Sequence, residues 1–169
     1  CVLQSGRCAA GWYGFNFFDF RETIMSHVRQ QIRDQLKTTL TGLTTTGANV
    51  FDSRVYDHDA LPSLTIYTLS EELGEESANK QLRLLSIVVE ARAKATTNLD
   101  NTLDTIGAEV EAAIFASGDT TLNGKCKDID FEAIDIELSG DSDQPVGMMS
   151  MRFACLYRVN KSDVTTLIS

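Results

Sequence analysis

The side chains able to do acid–base or metal chemistry near neutral pH are few and scattered. His27 and His58 are the chain's two imidazoles. His27 falls at the start of a helix pattern, where a surface role is the simpler reading. His58 stands in Asp57-His58-Asp59, three potential metal ligands in a row. Adjacent loop residues rarely converge on one ion, and no helical i, i+4 ligand pair accompanies them, so no metal site is read here. The four cysteines, Cys1, Cys8, Cys126 and Cys155, contain no CxxC pair. An even number permits disulfides, but a chain of this length builds a core without them, and free thiols in a reducing compartment are expected. Cys155 lies on the apolar side of a strand pattern, where burial raises a thiol's pKa and leaves it inert.

Two longer patterns invite a catalytic reading and fail it. Residues 118–125 run Gly-Asp-Thr-Thr-Leu-Asn-Gly-Lys. A phosphate-binding loop has one residue fewer between its glycines and is followed by Ser or Thr, not Cys126. It also connects a strand to a helix N-terminus, whereas this stretch follows a helix pattern. Asp128, Asp130, Glu132, Asp135 and Glu137 mostly alternate with apolar residues, the polar-out pattern of a half-buried strand. A rim of one sign still steers assembly and suppresses wrong pairings. No Gly-x-Ser-x-Gly elbow is present. The residues read as a binding or structural part, with no catalytic, cofactor-binding or metal-ligating residue assigned and no cofactor expected.

Composition sets the frame for that reading. At 169 residues and 18.6 kDa, one domain is expected. Hydrophobic residues at 43% and charged residues at 23% exclude a disordered chain. No apolar run approaches the roughly 20 residues of a membrane helix. A net charge of −9 disfavours general nucleic-acid binding. The chain opens on Cys1, and Met25 directly precedes a helix start, so residues 1–24 read as an arm or extension. That segment holds Trp12, Tyr13, Phe15, Phe17, Phe18 and Phe20, and its charges cancel. Contiguous exposed aromatics mark contact sites, so Trp12, Tyr13, Phe15, Phe17 and Phe18 are candidates for docking on a partner.

The elements follow from periodicity. A first helix is expected over Ser26–Leu40, with Ser26 as N-cap. Val28, Ile32, Leu36 and Leu40 form its apolar stripe, and Arg29, Arg33 and Lys37 a parallel basic one. Strands are expected at Asn49–Tyr56, Ser63–Leu69 and Lys80–Ala93, the last apolar on both faces and so buried on two sides. Glu71, Glu72, Glu75 and Glu76 around Gly74 read as an acidic turn between the second and third. A second helix over Asn98–Ala116 carries Leu99, Leu103, Ile106, Val110 and Ile114. Gly107 inside it implies close packing, and Ser117-Gly118 stops it. Two strands close the domain. In the first the apolar phase slips between Phe131 and Ile134, which predicts a bulge near Ala133. In the last, Met149, Met151, Phe153, Cys155, Tyr157 and Val159 share a face. The fold expected is α+β: two helices on one face of a largely antiparallel sheet of about five strands, ordered helix, three strands, helix, two strands.

One stretch carries a resemblance. Val50-Phe51-Asp52-Ser53-Arg54, then Asp59, then Leu61-Pro62-Ser63-Leu64-Thr65-Ile66-Tyr67 follow an amphipathic helix and precede a long strand. In order and spacing of elements, 25–161 resembles the tail terminator proteins of long-tailed bacteriophages, of the lambda minor tail protein U type. The arm 1–24 departs from that pattern, and 162–169 is left as a C-terminal tail. The resemblance implies a virion protein without catalysis, assembled in the host cytoplasm. It would form a homo-oligomeric ring, a hexamer, on the head-proximal end of the tail tube. There it would stop polymerisation and offer a surface to the head–tail connector, with no nucleic-acid readout and no membrane. In that frame Arg29, Arg33 and Lys37 are candidate ring contacts. Glu71, Glu72, Glu75, Glu76, Asp141 and Asp143 are candidate contacts with tube or connector. Two readings compete: a head–tail connector or tail-completion protein, and a small metal-dependent cytoplasmic enzyme using the clustered carboxylates.

Overall fold

The computed structural model describes residues 26–52, 60–95, 97–139 and 145–168. The elements in chain order are α1 (Val28–Leu40), β1 (Val50–Phe51), β2 (Ser63–Glu76), β3 (Lys80–Lys94), α2 (Leu99–Ile114), β4 (Asp128–Ser139), β5 (Val146–Asn160) and β6 (Asp163–Leu167). The strands lie in the order β1-β2-β3-β5-β4, with β6 paired to the far end of β5. All pairings are antiparallel except β1 with β2. The α+β class and element order match the expectation, with six strands in place of about five.

Alternation in the central strands places the core. Leu85, Ile87, Val89 and Ala91 of β3 stand opposite Cys155, Phe153, Met151 and Met149 of β5. All eight are fully buried under the two helices, together with Leu64 and Ile66 of β2. The α1 stripe of Val28, Ile32, Leu36 and Leu40 is buried, as is the α2 series Leu99, Leu103, Ile106, Val110 and Ile114. On the other face of β3, Val88 is buried, Leu82 half-buried and Leu84 exposed. Burial on two sides therefore holds only in part, and among the described residues no helix covers that face.

Three boundaries differ from expectation for local reasons, and the expected strand Asn49–Tyr56 is described only as far as residue 52. The N-cap of α1 is His27, whose Nδ1 accepts from the Arg29 N–H at 3.1 Å. The Ser26 carbonyl instead accepts from Gln31 Nε2. The described part of the first strand is only Val50–Phe51, since 53–59, with Asp57-His58-Asp59, lie outside the described residues. The acidic turn is not a turn: β2 runs on to Glu76, and the reversal falls at Ser77–Asn79, where Ser77 N–H donates to the Lys80 carbonyl. Asp163–Leu167, expected as tail, adds a strand whose Thr165 carbonyl accepts from Gln31 Nε2 of α1 at 2.7 Å.

Two sequence details are met. The register of β4 against β5 shifts between Phe131 and Ala133, with Glu132 as the extra residue. This single bulge keeps Ile129 and Phe131 before it, and Ile134, Ile136 and Leu138 after it, on the helix side of the sheet. A Cβ added at Gly107 would meet Met149 Cε at 3.2 Å. That atom ends a flexible thioether and yields easily. Gly107→Ala is expected to raise stability by about 0.5 kcal/mol, the helix-propensity gain less a small packing cost. Gly107→Leu should lower it by about 2 kcal/mol, because the added volume has no room. Urea unfolding of both variants checks the pair.

Candidate functional site

The helix-side surface near α1 is basic. Arg29, Arg33 and Lys37, four residues apart, lie along one side of the helix, as the sequence spacing requires. Arg29 and Arg33 line a recess of about 250 Å³ with His27, Gln30 and Thr68 of β2. Arg33 Nε is buried there without a hydrogen-bond partner. Lys37 is held by Asp52 at 3.2 Å. This recess lies at the β2 end of the sheet, away from β4.

Glu71 is drawn into that region rather than presented on a loop. Its carboxylate accepts from Arg83 Nη1 at 3.1 Å, pairs with Arg29 at 3.5 Å, and accepts from the Tyr157 hydroxyl. The side chain of Glu71 is 12% exposed. The register explains the cluster: Arg83 of β3 stands directly opposite Tyr157 of β5, and Glu71 opposite Leu85 two residues on. Burial, then the bond to the Glu71 carboxylate, pushes the Tyr157 phenol well above its ordinary value. Burial and the neighbouring Arg29 charge hold His27 below its ordinary 6.5. The sign follows. A depressed folded pKa means the unfolded chain binds the proton more readily, so stability is full above pH 6.5 and falls as pH drops through the folded value. Protonation also removes the Nδ1 acceptor that caps α1. Thermal melts from pH 7.5 to 5 should show this loss, and His27→Asn, which keeps a capping acceptor without titrating there, should flatten it.

The other acidic candidates separate. Glu72 of β2 is exposed, opposite Leu84. Glu75 and Glu76 lie near the end of the same strand. Asp141 and Asp143 lie outside the described residues, as do Trp12, Tyr13, Phe15, Phe17 and Phe18. The β2–β3 hairpin thus carries Glu72, Glu75 and Glu76 toward one end of the sheet, and the basic stripe and Glu71 stand beside its base.

The opposite edge of the sheet is different in kind. Strand β4 is apolar on its helix side and acidic on the other. Phe131, Ile134, Ile136 and Leu138 run from 38% to 53% exposed. Asp130, Asp135 and Glu137 lie on the other face, opposite Ala154, Ser150 and Met148 of β5. Among the described residues only Asp135 of these makes an ion pair, a long one to Arg152 at 3.8 Å. Among the described residues nothing pairs with the outer edge of β4. The alternating acids of this strand were legible in the sequence. Its uncovered apolar face was not, because alternation tells which side faces the helices, not whether a helix reaches that far.

The residues weighed for chemistry do not gather. The loop at 118–125 follows α2 and closes on itself: Asp119 accepts from the N–H groups of Thr121 and Asn123, both at 2.7 Å. Those donors, which a phosphate would need, already face a carboxylate. Cys126 and Cys155 are free and buried, and the neighbouring Cys126 thiol together with burial pushes the Cys155 thiol far up. Among the described residues no three His, Cys, Asp or Glu are placed to hold a metal ion, and no helix is long and apolar enough to cross a membrane.

No family model and no curated protein matches the chain. Among solved structures it is similar to a chain of one described as "Virion of native gene transfer agent (GTA) particle", with a TM-score of 0.46 and 16% identity. That similarity covers 81% of this chain and 94% of the other.

Proposed function

We propose that this chain is a structural virion protein of the tail terminator kind. It forms a ring, a hexamer, on the head-proximal end of a phage-like tail tube, stops tube growth and offers a surface for the head connector. The observation that carries the reading is the unlikeness of the two edges of one sheet. One edge, where β1 flanks β2 under α1, sets the basic stripe of α1 beside the glutamates of β2 and the exposed Leu69 and Leu73. The other, β4, has an outer edge without a partner among the described residues, an apolar stripe and a line of carboxylates. A contact between unlike edges repeats from copy to copy and closes into a ring when its rotation closes. The resemblance of 25–161 to the tail terminators supports the same assignment. Glu72, Glu75 and Glu76 of the β2–β3 hairpin, with Asp141 and Asp143, are the groups assigned to tube or connector. The arm aromatics Trp12, Tyr13, Phe15, Phe17 and Phe18 are assigned to docking on the ring or its partner.

Electron microscopy of particles assembled without this protein tests the reading. Tails longer than normal are expected. Tails of normal length that fail to join heads would instead identify a connector or tail-completion protein. The enzyme reading makes its own prediction, a rise in Tm on adding Mg²⁺ or Mn²⁺ by mass action, and none is expected here.

A further inference from the structure

We infer that the aromatic segment Trp12–Phe20 docks on the helix-side face of β4 within its own subunit. The inference goes beyond the ring reading and stands or falls apart from it. Phe131, Ile134, Ile136 and Leu138 stand on the helix side of the sheet, yet remain 38% to 53% exposed. The cause is the seat of α2, which packs over β3 and β5. Its first turns border the stripe at one end: a Cβ added at Gly147 would meet the side chains of Leu99, Leu103 and Leu138 at 3.1 Å or closer. Beyond that end β4 is an apolar shelf alongside α2, and contiguous exposed apolar side chains mark a contact.

Three observations choose the arm as the cover. The first is where the described chain begins. Gln31 Nε2 donates to the carbonyls of both Ser26 and Thr165, each at 2.7 Å, so Ser26 sits beside β6. β5 carries β3 along one edge as far as Asn160, so β6, which pairs with Val159 and Asn160, takes the other edge, in line with β4. The chain therefore enters α1 on the helix side, at the edge that holds the stripe. The second is length. Phe131 stands opposite Phe153, which is about 20 Å along the edge from Val159. The chain from Ser26 back to Phe20 also covers about 20 Å when extended. Trp12 lies ~27 Å further back, and Leu138 ~23 Å beyond Phe131, so segment and stripe match end to end. The third is chemistry. Trp12, Tyr13, Phe15, Phe17, Phe18 and Phe20 crowd into this segment, and residues 8–18 hold no Asp, Glu, Lys, Arg or His. Covering most of the shelf thus buries no charge. The arm lies over the helix-side face and leaves the outer backbone edge of β4 open to a neighbouring copy.

Trp12 is the chain's one tryptophan, so its fluorescence reports the seat directly. In the full chain its emission is expected at the blue position of a buried indole. Ile136→Asp with Leu138→Asp should move it to the red position of tryptophan in water, and Leu73→Asp, on β2, should leave it in place. Circular dichroism checks that each variant folds. If the aspartates unfold β4, Ile136→Thr with Leu138→Thr removes the apolar surface while keeping strand-forming side chains. Refolding the Ile136→Asp/Leu138→Asp chain together with a Trp12→Phe chain of intact stripe separates docking within the subunit from docking on a neighbour. Emission that stays red in the mixture is the expected result. Emission that returns to blue would place the arm on a second copy and overturn the inference. A water-exposed Trp12 in the wild type, or a buried one indifferent to loss of the stripe, would overturn it as well.

Discussion

Phe153→Ala is expected to lower stability by about 3–5 kcal/mol, the usual cost of emptying a buried aromatic site. Phe153 is fully buried at the middle of β5, opposite Ile87 of β3 and Phe131 of β4. Its ring centroid lies 5.3 Å from that of Phe131 and 6.4 Å from that of Phe115, both pairs tilted. The truncation therefore removes buried area and two aromatic contacts at once. The neighbours cannot collapse freely, because the backbone on both sides is held by ladders to β3 and β4. A chain of this size should lose on the order of 10 °C in Tm. Phe153→Leu should recover more than half of the loss, since most of the volume returns. A loss below about 1 kcal/mol would show that the site collapses and that the helix-side layer is less rigid than its burial implies.

Glu71→Ala is the second large effect, expected at about 3 kcal/mol. The substitution leaves Arg83, with its side chain 13% exposed, facing Tyr157 and Arg29 without a counter-charge. Removing one partner of a buried pair costs more than the pair contributes, because the remaining charge stays desolvated. Arg29 is partly exposed and regains water, so it adds little to the loss. Combining Glu71→Ala with Arg83→Met should cost less than Glu71→Ala alone, and that double-mutant cycle isolates the pair. Glu72→Ala, on the exposed face of the same strand, should change stability by less than about 0.5 kcal/mol. The contrast between two neighbouring glutamates in chemical denaturation is the check.

Much of the architecture was legible because strand and helix periods are strict. The alternation from Met149 to Val159 identified the buried face of β5 residue by residue. The slip between Phe131 and Ile134 located the β4 bulge, since only an extra residue keeps both apolar sets on one side. The misreadings have physical causes. Glu71, Glu72, Gly74, Glu75 and Glu76 look like a solvated turn because strands seldom hold so many acids. They stay in β2 because the long β3 supplies a paired edge and because Arg83 and Arg29 neutralise Glu71. Asp163-Val164-Thr165-Thr166-Leu167 has too few apolar residues to announce a strand. It forms one where β5 extends past the end of β4. The candidate site was half visible. The basic stripe on α1 and the acids on β4 follow from spacing alone. That they stand at opposite edges of one sheet depends on the order β1-β2-β3-β5-β4, which no local pattern encodes.

The terminator role is tested most directly by growing tail tubes from purified tube protein with and without this chain, and reading tube length and end density by electron microscopy. Tubes capped at one end by an added ring, shorter on average as more of the chain is supplied, are the expected result. Tubes of unchanged length, or carrying the chain along their whole extent, would contradict it.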